Sequence, residues 1–274
     1  MPYTELLQNE YAKKNTMLCF GMDPVVEQMK IDNSKNLAEE IAVYFIRIFD
    51  AIKEKISAVK PNVAFYLQYG IDGLSALVEI IKKVKSTGTP VIIDAKLGDV
   101  GRTAEAYAKY IFDYLMGDSV TLSPYLGYDS LEPFFKYRDK GFYLLALTSN
   151  KGAEDFQLWR TGTGSRLYEY VLRSICGWSS KVRSAGAVIG ATQDEFRNCI
   201  ELLRGRDCSV PLLIPGVGAQ GGSYGIIKKI LEGLEYNMSI VRINASSSIS
   251  YAHKKYKSLA VEEASFRAVG ELLG

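Results

Sequence analysis

Eight short apolar runs alternate with amphipathic helical segments and are followed by polar residues, a pattern that predicts an α/β protein whose parallel strands close into a (β/α)8 TIM barrel. The runs cover residues 17–20, 57–60, 91–94, 119–122, 143–147, 187–189, 212–214 and 240–243. Between them, Leu37, Ile41, Tyr44, Ile48 and Ile52 recur every three or four residues, as do Leu74, Leu77, Ile81 and Val84. Each set marks one apolar stripe on a helix. A count of eight favours a closed barrel over an open doubly wound sheet, and no compositional break divides the 274 residues. A single domain over residues 1–274 is therefore expected.

A barrel of this kind carries its chemistry where the strands end. Polar residues gather there: Asp23 after the first run, Lys60 and Asn62 after the second, Asp94 and Lys96 after the third, and Ser123 after the fourth. Thr148 and Ser149 follow the fifth, Thr192 the sixth, Gly216 to Gln220 the seventh, and Asn244 to Ser248 the eighth. The connections at the opposite face, such as Ser86-Thr87-Gly88-Thr89 and Arg204-Gly205-Arg206-Asp207, read as plain turns. The longest segment at the mouth, residues 150–166, reads as a mobile surface loop.

Composition narrows the function. The chain is 47% hydrophobic with a net charge of only +2, and its basic and acidic residues are interspersed. No basic stripe suits a nucleic-acid polymer, and no apolar run suits a membrane, whereas an anionic small molecule remains compatible. The four cysteines, Cys19, Cys176, Cys199 and Cys208, lack Cys-x-x-Cys spacing, and His253 is the only histidine. A zinc site and a Cys/His nucleophile are thereby disfavoured. The N-terminal residues lack a signal-peptide pattern, so a cytoplasmic protein with reduced thiols is expected.

The reactive stretch is Asp94-Ala95-Lys96-Leu97-Gly98-Asp99-Val100-Gly101-Arg102-Thr103. Asp94 and Lys96 are two residues apart on a strand and so share a face at its tip. Asp99 follows in the turn and Thr103 at the helix entry. Lys60 closes the neighbouring strand, so Lys60, Asp94, Lys96 and Asp99 can form an alternating row of charges, each held ionised by its neighbours. Pro215 to Gly222 form a glycine-rich loop after the seventh strand, where backbone N–H groups approach a phosphate closely.

Together these residues resemble the orotidine 5′-phosphate decarboxylase family, in its longer-chain branch with a Lys-Pro-Asn element. The resemblance runs through Phe20-Gly21-Met22-Asp23-Pro24, Val59 to Tyr66, Asp94 to Val100, Leu147-Thr148-Ser149-Asn150 and Pro215 to Gly222. It implies conversion of orotidine 5′-monophosphate to UMP and carbon dioxide, in pyrimidine synthesis, with no metal and no organic cofactor. Asp94 would face the substrate carboxylate, and Lys96 would stabilise the C6 carbanion and protonate it. Lys60 would orient Asp94 and touch the ribose, Asp23 would bind a ribose hydroxyl, and Asn62 belongs to the same substrate-binding set. Ser149 would read the pyrimidine edge, while Gln220 and the backbone of Gly218 would hold the phosphate and close over it. Asp99 and Thr103 would reach the neighbouring subunit's site, which implies a homodimer.

One position departs from the family. Where an arginine normally meets the phosphate, this chain has Ser247, within Asn244-Ala245-Ser246-Ser247-Ser248-Ile249. The serine hydroxyls and backbone amides of this segment are expected to take over part of the grip, and strand parity leaves open whether Arg242 faces the mouth. Two other readings compete. A metal-dependent sugar-phosphate decarboxylase or aldolase shares the Asp-x-Lys-x-x-Asp element, but resembling enzymes carry a glutamate where Lys60 stands, and a lysine repels a divalent cation. A silent nucleotide-binding barrel would leave the expense of the charge row unexplained.

Overall fold

A computed structural model describes residues 1–32, 36–162, 164–191, 193–217 and 223–274. Eight parallel strands form one sheet in the order β2-β1-β8-β7-β6-β5-β4-β3. They are β1 (Leu18–Met22), β2 (Ala58–Pro61), β3 (Ile92–Leu97), β4 (Ser119–Leu122), β5 (Gly141–Leu147), β6 (Ala185–Ile189), β7 (Leu212–Ile214) and β8 (Val241–Ala245). The seam between β2 and β3 is closed by the bridges Val59 to Val91 and Asn62 to Asp94. The result is the eight-stranded barrel expected from the sequence.

The helices around it are α1 (Tyr3–Lys14), α2 (Leu37–Ile52), α3 (Val63–Leu67), α4 (Gly70–Lys85), α5 (Gly101–Lys109) and α6 (Tyr128–Phe135). They continue as α7 (Ala153–Phe156), α8 (Leu167–Ser179), α9 (Gln193–Arg204), α10 (Tyr224–Gly233), α11 (Ser247–Ser250) and α12 (Val261–Leu273). The stripe read on α2 is the face it buries: Ile41, Tyr44, Ile48 and Ile52 all lie in the core. The α2 N-terminus is capped by Asn36, whose side chain accepts from the Glu39 amide. On α4 the buried face includes Leu77, Ile81 and Val84, while Leu74 is half-buried.

The bottom of the barrel is plugged by α1, which inserts Tyr3 and Leu7 among interior residues such as Cys19, Ala58, Ile92 and Tyr143. The buried phenol of Tyr3 accepts from Ser119 Oγ at 2.9 Å and lies 2.9 Å from the Tyr143 hydroxyl. Gly141 makes this plug possible, because a Cβ there would come within 2.1 Å of the Tyr3 ring. Arg242 belongs to the same floor. Its fully buried guanidinium donates to the carbonyls of Leu7, Ser57, Ser239 and Val241, tying α1 to the barrel base. Arg242 therefore does not reach the mouth, which settles the question parity left open.

Two sequence expectations change. Residues 150–166 are not simply a loop: they contain α7 and an Arg160 to Arg166 bridge, and Gln157 Oε1 accepts from the Thr148 amide at 2.7 Å. The thiols are not all reduced either. Cys176 on α8 and Cys208 ahead of β7 form a disulfide, whereas Cys19 and Cys199 are free and buried. The pairing arises because the barrel brings the end of α8 beside the strand entry 32 residues later, a proximity that spacing alone does not reveal.

Candidate active site

Alternation along the strands stacks inward side chains in layers. The layer nearest the mouth contains Lys60 from β2, Asp94 from β3, Thr121 from β4, Leu145 from β5, Val188 from β6 and Asn244 from β8. Above it opens a cavity of about 470 Å³, whose lining includes five of these residues and the tips that follow the strands. The floor is thus divided. Charged and polar groups occupy the β8 and β2–β4 side, while Leu145 and Val188 form an apolar shelf opposite. A planar heterocycle could rest on the shelf with its charged substituent turned toward Asp94.

Asp94 is the centre of the polar side and is only 6% exposed. Lys60 Nζ donates to its Oδ2 at 2.9 Å, Lys96 Nζ to its Oδ1 at 2.5 Å, and Thr121 Oγ1 to Oδ1 at 2.9 Å. Burial pushes the Asp94 carboxyl pKa up, but the charges of Lys60 and then Lys96 outweigh it and hold that carboxyl well below the usual carboxylate range. For Lys60, burial favours the neutral amine, and Asp94 followed by Asp23 reverses this, raising its pKa above the ordinary lysine value. The Lys96 side chain is about half exposed toward the cavity, at 48%.

Lys96 reaches Asp94 through an irregular strand end. β3 pairs with β4 in register at Ile92–Ser119 and Ile93–Val120, then slips so that Leu97 stands opposite Leu122. Lys96 itself has φ +49°, an uncommon conformation for a residue with a side chain. The residue that accommodates this is Thr121, whose Oγ1 accepts from the amides of both Ala95 and Lys96. Nothing in the linear pattern singled it out.

Other expected residues fall into place to different degrees. Asp23 Oδ1 accepts from the Asn62 amide at 3.1 Å, and its Oδ2 accepts from Ser246 Oγ at 2.6 Å. Ser246 packs against Gly21, where an added Cβ would come within 2.6 Å of the Ser246 Cβ. The Asn62 side chain caps α3 by accepting from Ala64 N, so its carbonyl oxygen is already engaged. Ser149 and Ser247 line the cavity, with Ser247 exposed at its rim. Asn244 is 7% exposed, and its buried Oδ1 has no hydrogen-bond partner. Asp99 and Thr103 do not line this chain's own cavity: Asp99 Oδ1 accepts from Val100 N, and Thr103 is exposed on α5. The four-charge row is therefore assembled only as far as Lys60, Asp94 and Lys96 within one subunit. Gly218 and Gln220, like Thr192, lie outside the described residues.

Among the described residues no group of three or more His, Cys, Asp or Glu is arranged to hold a metal ion, and no helix is long and apolar enough to cross a membrane. At Asp94 a divalent ion would meet two ammonium groups already bonded to the carboxylate, and the other carboxylate of the cavity, Asp23, is engaged by Asn62 N and Ser246 Oγ, a donor set unsuited to it.

The fold and this site define an α/β-barrel protein of the enzyme type, with preorganised charge at the mouth where its strands end. Residues 16–258 match the model of the Orotidine 5′-phosphate decarboxylase / HUMPS family. The chain is 36% identical over 253 residues to the orotidine 5′-phosphate decarboxylase of Thermomicrobium roseum, covering 92% of this chain and 88% of that one. It is 40% identical over 260 residues to the enzyme of the same name from Dehalococcoides mccartyi, covering 92% and 90%. The structure of Leishmania donovani OMP decarboxylase superposes with a TM-score of 0.76 at 32% identity, covering 99% of this chain and 96% of that one. Leishmania donovani UMP synthase superposes at 0.81 with 33% identity, and there the chain covers 99% of itself but 56% of the longer protein. The chain belongs to the orotidine 5′-phosphate decarboxylase family.

Proposed function

We propose that the protein decarboxylates orotidine 5′-monophosphate to UMP through a C6 carbanion held by the Lys60–Asp94–Lys96 cluster. The observation that carries this is a buried aspartate, kept ionised by two lysines, on the wall of a cavity that fits a nucleotide. A substrate carboxylate set against Asp94 would be repelled in the ground state. As the C6–carboxyl bond breaks, its electron pair stays on C6 and neutral carbon dioxide leaves, so the repulsion disappears while the new charge faces the Lys96 ammonium. That difference lowers the barrier, because only interactions stronger in the transition state accelerate the step. Lys96 then transfers a proton to C6, and its exposed position allows reprotonation from solvent. Lys60 stays fixed on Asp94 and keeps it anionic. No metal and no organic cofactor takes part.

Asp23 and Asn62 bind the ribose side, Ser149 the pyrimidine edge, and Gly218, Gln220 and Ser247 the phosphate side. Asp99 and Thr103 act in the site of a second copy. Their position away from their own cavity supports this, as do the exposed apolar side chains of Val100, Tyr107 and Tyr114 nearby. Mixing inactive Lys96→Ala and Asp99→Ala subunits then restores activity, because hybrid dimers regain one intact site; no recovery would sink the shared site.

Purified protein mixed with orotidine 5′-monophosphate in EDTA is expected to bleach the orotate absorbance and release UMP and carbon dioxide. Folded protein that binds UMP but produces no turnover would overturn the assignment in favour of a silent nucleotide-binding barrel. Turnover abolished by EDTA and restored by a divalent ion would favour the metal-dependent reading.

A further inference from the structure

The hydroxyl of Thr121 uses its whole bonding capacity at one point. It donates to Asp94 Oδ1 at 2.9 Å and accepts from Ala95 N at 3.0 Å and Lys96 N at 2.9 Å. A hydroxyl has one proton and two lone pairs, so nothing is left over. The two amides it accepts from are those released where the β3–β4 ladder slips, between Ile93 and Leu97. The residue bearing the second amide is Lys96, whose backbone sits at φ +49°. The oxygen it donates to is the one that Lys96 Nζ reaches at 2.5 Å. Thr121 is 1% exposed and does not line the cavity, so it does not touch a bound nucleotide.

We infer that Thr121 is a positioning residue for the decarboxylation, acting through the strand irregularity that turns Lys96 toward the reacting carbon and through the orientation of Asp94. This rests on the decarboxylase reading above. A plain ladder at this point would carry β3 onward as regular strand, so the side chain of residue 96 would depend on strand alternation alone. The slip instead places Lys96 in a left-handed conformation, from which its ammonium folds back onto Asp94. Non-glycine residues hold such a conformation only where the surroundings over-determine it. Thr121 supplies that restraint by satisfying both freed N–H groups. Its β-branched side chain has few rotamers to choose from, which suits a fixed bridge.

The test compares Thr121→Val, which keeps the shape and removes the hydroxyl, with Thr121→Ser, which keeps the hydroxyl. Displacements of about 1 Å at a reacting group cost on the order of 100-fold in rate. Thr121→Val is therefore expected to lower kcat by about that factor while KM and the Kd for UMP stay within about twofold, and Thr121→Ser to retain kcat within about threefold. A merely structural role would change stability and binding together and would not separate kcat from KM. If Thr121→Val does not fold, Thr121→Ser and Thr121→Cys carry the comparison, because a thiol is a poor substitute on both sides of this bridge. Equal kcat for the Ser and Cys variants, wild-type kcat in folded Thr121→Val, or a loss confined to KM overturns the inference. Wild-type protein without turnover overturns the decarboxylase reading itself, and this inference with it.

Discussion

Ser247→Arg tests the phosphate end of the cavity. Among the described lining residues the cations are Lys60 and Lys96, and both bond to Asp94. Ser247 stands at the rim with a small exposed side chain. It also borders a second cavity, of about 370 Å³, that includes Lys254 and Lys255. Those lysines are engaged elsewhere: Lys254 donates to Gln28 Oε1 at 2.9 Å, and Lys255 pairs with Glu271 at 2.6 Å. On the proposed reading, a phosphate at this rim would meet neutral donors among the described residues. Hydrogen bonds to charged groups contribute about 1.5–3 kcal/mol. Placing a guanidinium at position 247 is therefore expected to lower KM for orotidine 5′-monophosphate about 10- to 150-fold. Because the rim is exposed, the lower end of that range applies at physiological salt, and the gain shrinks as salt rises. The assay is steady-state decarboxylation, with Kd for UMP and for uridine measured in parallel. UMP should tighten and uridine should not. Unchanged KM and unchanged UMP affinity would mean that another cation already serves the phosphate, and would refute this account of Ser247.

Asn244 lies on the cavity wall, and its Oδ1 has no partner among the described protein atoms, which leaves it available to a ligand hydroxyl or N–H. Asn244→Leu is expected to leave the melting temperature equal or higher while weakening UMP about 5- to 150-fold; tighter UMP binding would contradict this. The Lys60–Asp94 pair has a defined pH window. Asp94 is depressed, so its contribution is complete above the unfolded carboxylate value and is lost only as pH falls through its low folded value. Lys60 is raised, so its contribution is complete below the unfolded lysine value and is lost as pH rises through its higher folded value. The difference in urea unfolding free energy between wild type and Lys60→Met is expected to be about 3–5 kcal/mol and constant from about pH 7 to 9, and to shrink at lower pH, because without Lys60 the Asp94 carboxyl is held down less and takes up its proton earlier. A difference that grows as pH falls from about 7 to 5 would contradict the assignment of charges. Finally, the Cys176–Cys208 bond spans a separation of 32 residues. Closing a loop of that size is expected to add about 3–4 kcal/mol. Reductant should therefore lower the melting temperature of the wild type by roughly 10 °C and leave Cys176→Ser unmoved. Insensitivity of the wild type would show the bond to be absent.

Much of the barrel was legible because local and global signals agree. The runs at 119–122 and 212–214 coincide with β4 and β7, both buried from end to end, with Val120 and Leu122 supplying the apolar signal in β4 and all three residues supplying it in β7. β1 and β3 extend beyond their apolar runs, to Met22 and Leu97, because their last residues pair in the barrel while serving the mouth. The Asp94–Lys96 pairing was legible from spacing, although the geometry that produces it is a slipped strand with a left-handed residue. Thr121 was not legible. A threonine inside a strand is ordinary in sequence, and its importance appears only when β4 is laid beside the end of β3. Arg242 shares strand parity with Asn244, so both face inward, but two residues of strand place Arg242 about 6–7 Å deeper, among the carbonyls of the floor. Depth along the barrel axis, unlike facing, is set by register with β1 and β7.

The central claim is that the Lys60–Asp94–Lys96 cluster stabilises negative charge at C6 and that Lys96 carries the proton. Hydrogen exchange at C6 of UMP in deuterium oxide reads this without decarboxylation, because it runs the protonation step backwards. Wild-type protein should exchange the C6 hydrogen far faster than free UMP does, and Lys96→Ala should lose that acceleration while still binding UMP. Exchange at the uncatalysed rate in the wild type, or undiminished exchange in Lys96→Ala, would contradict the account.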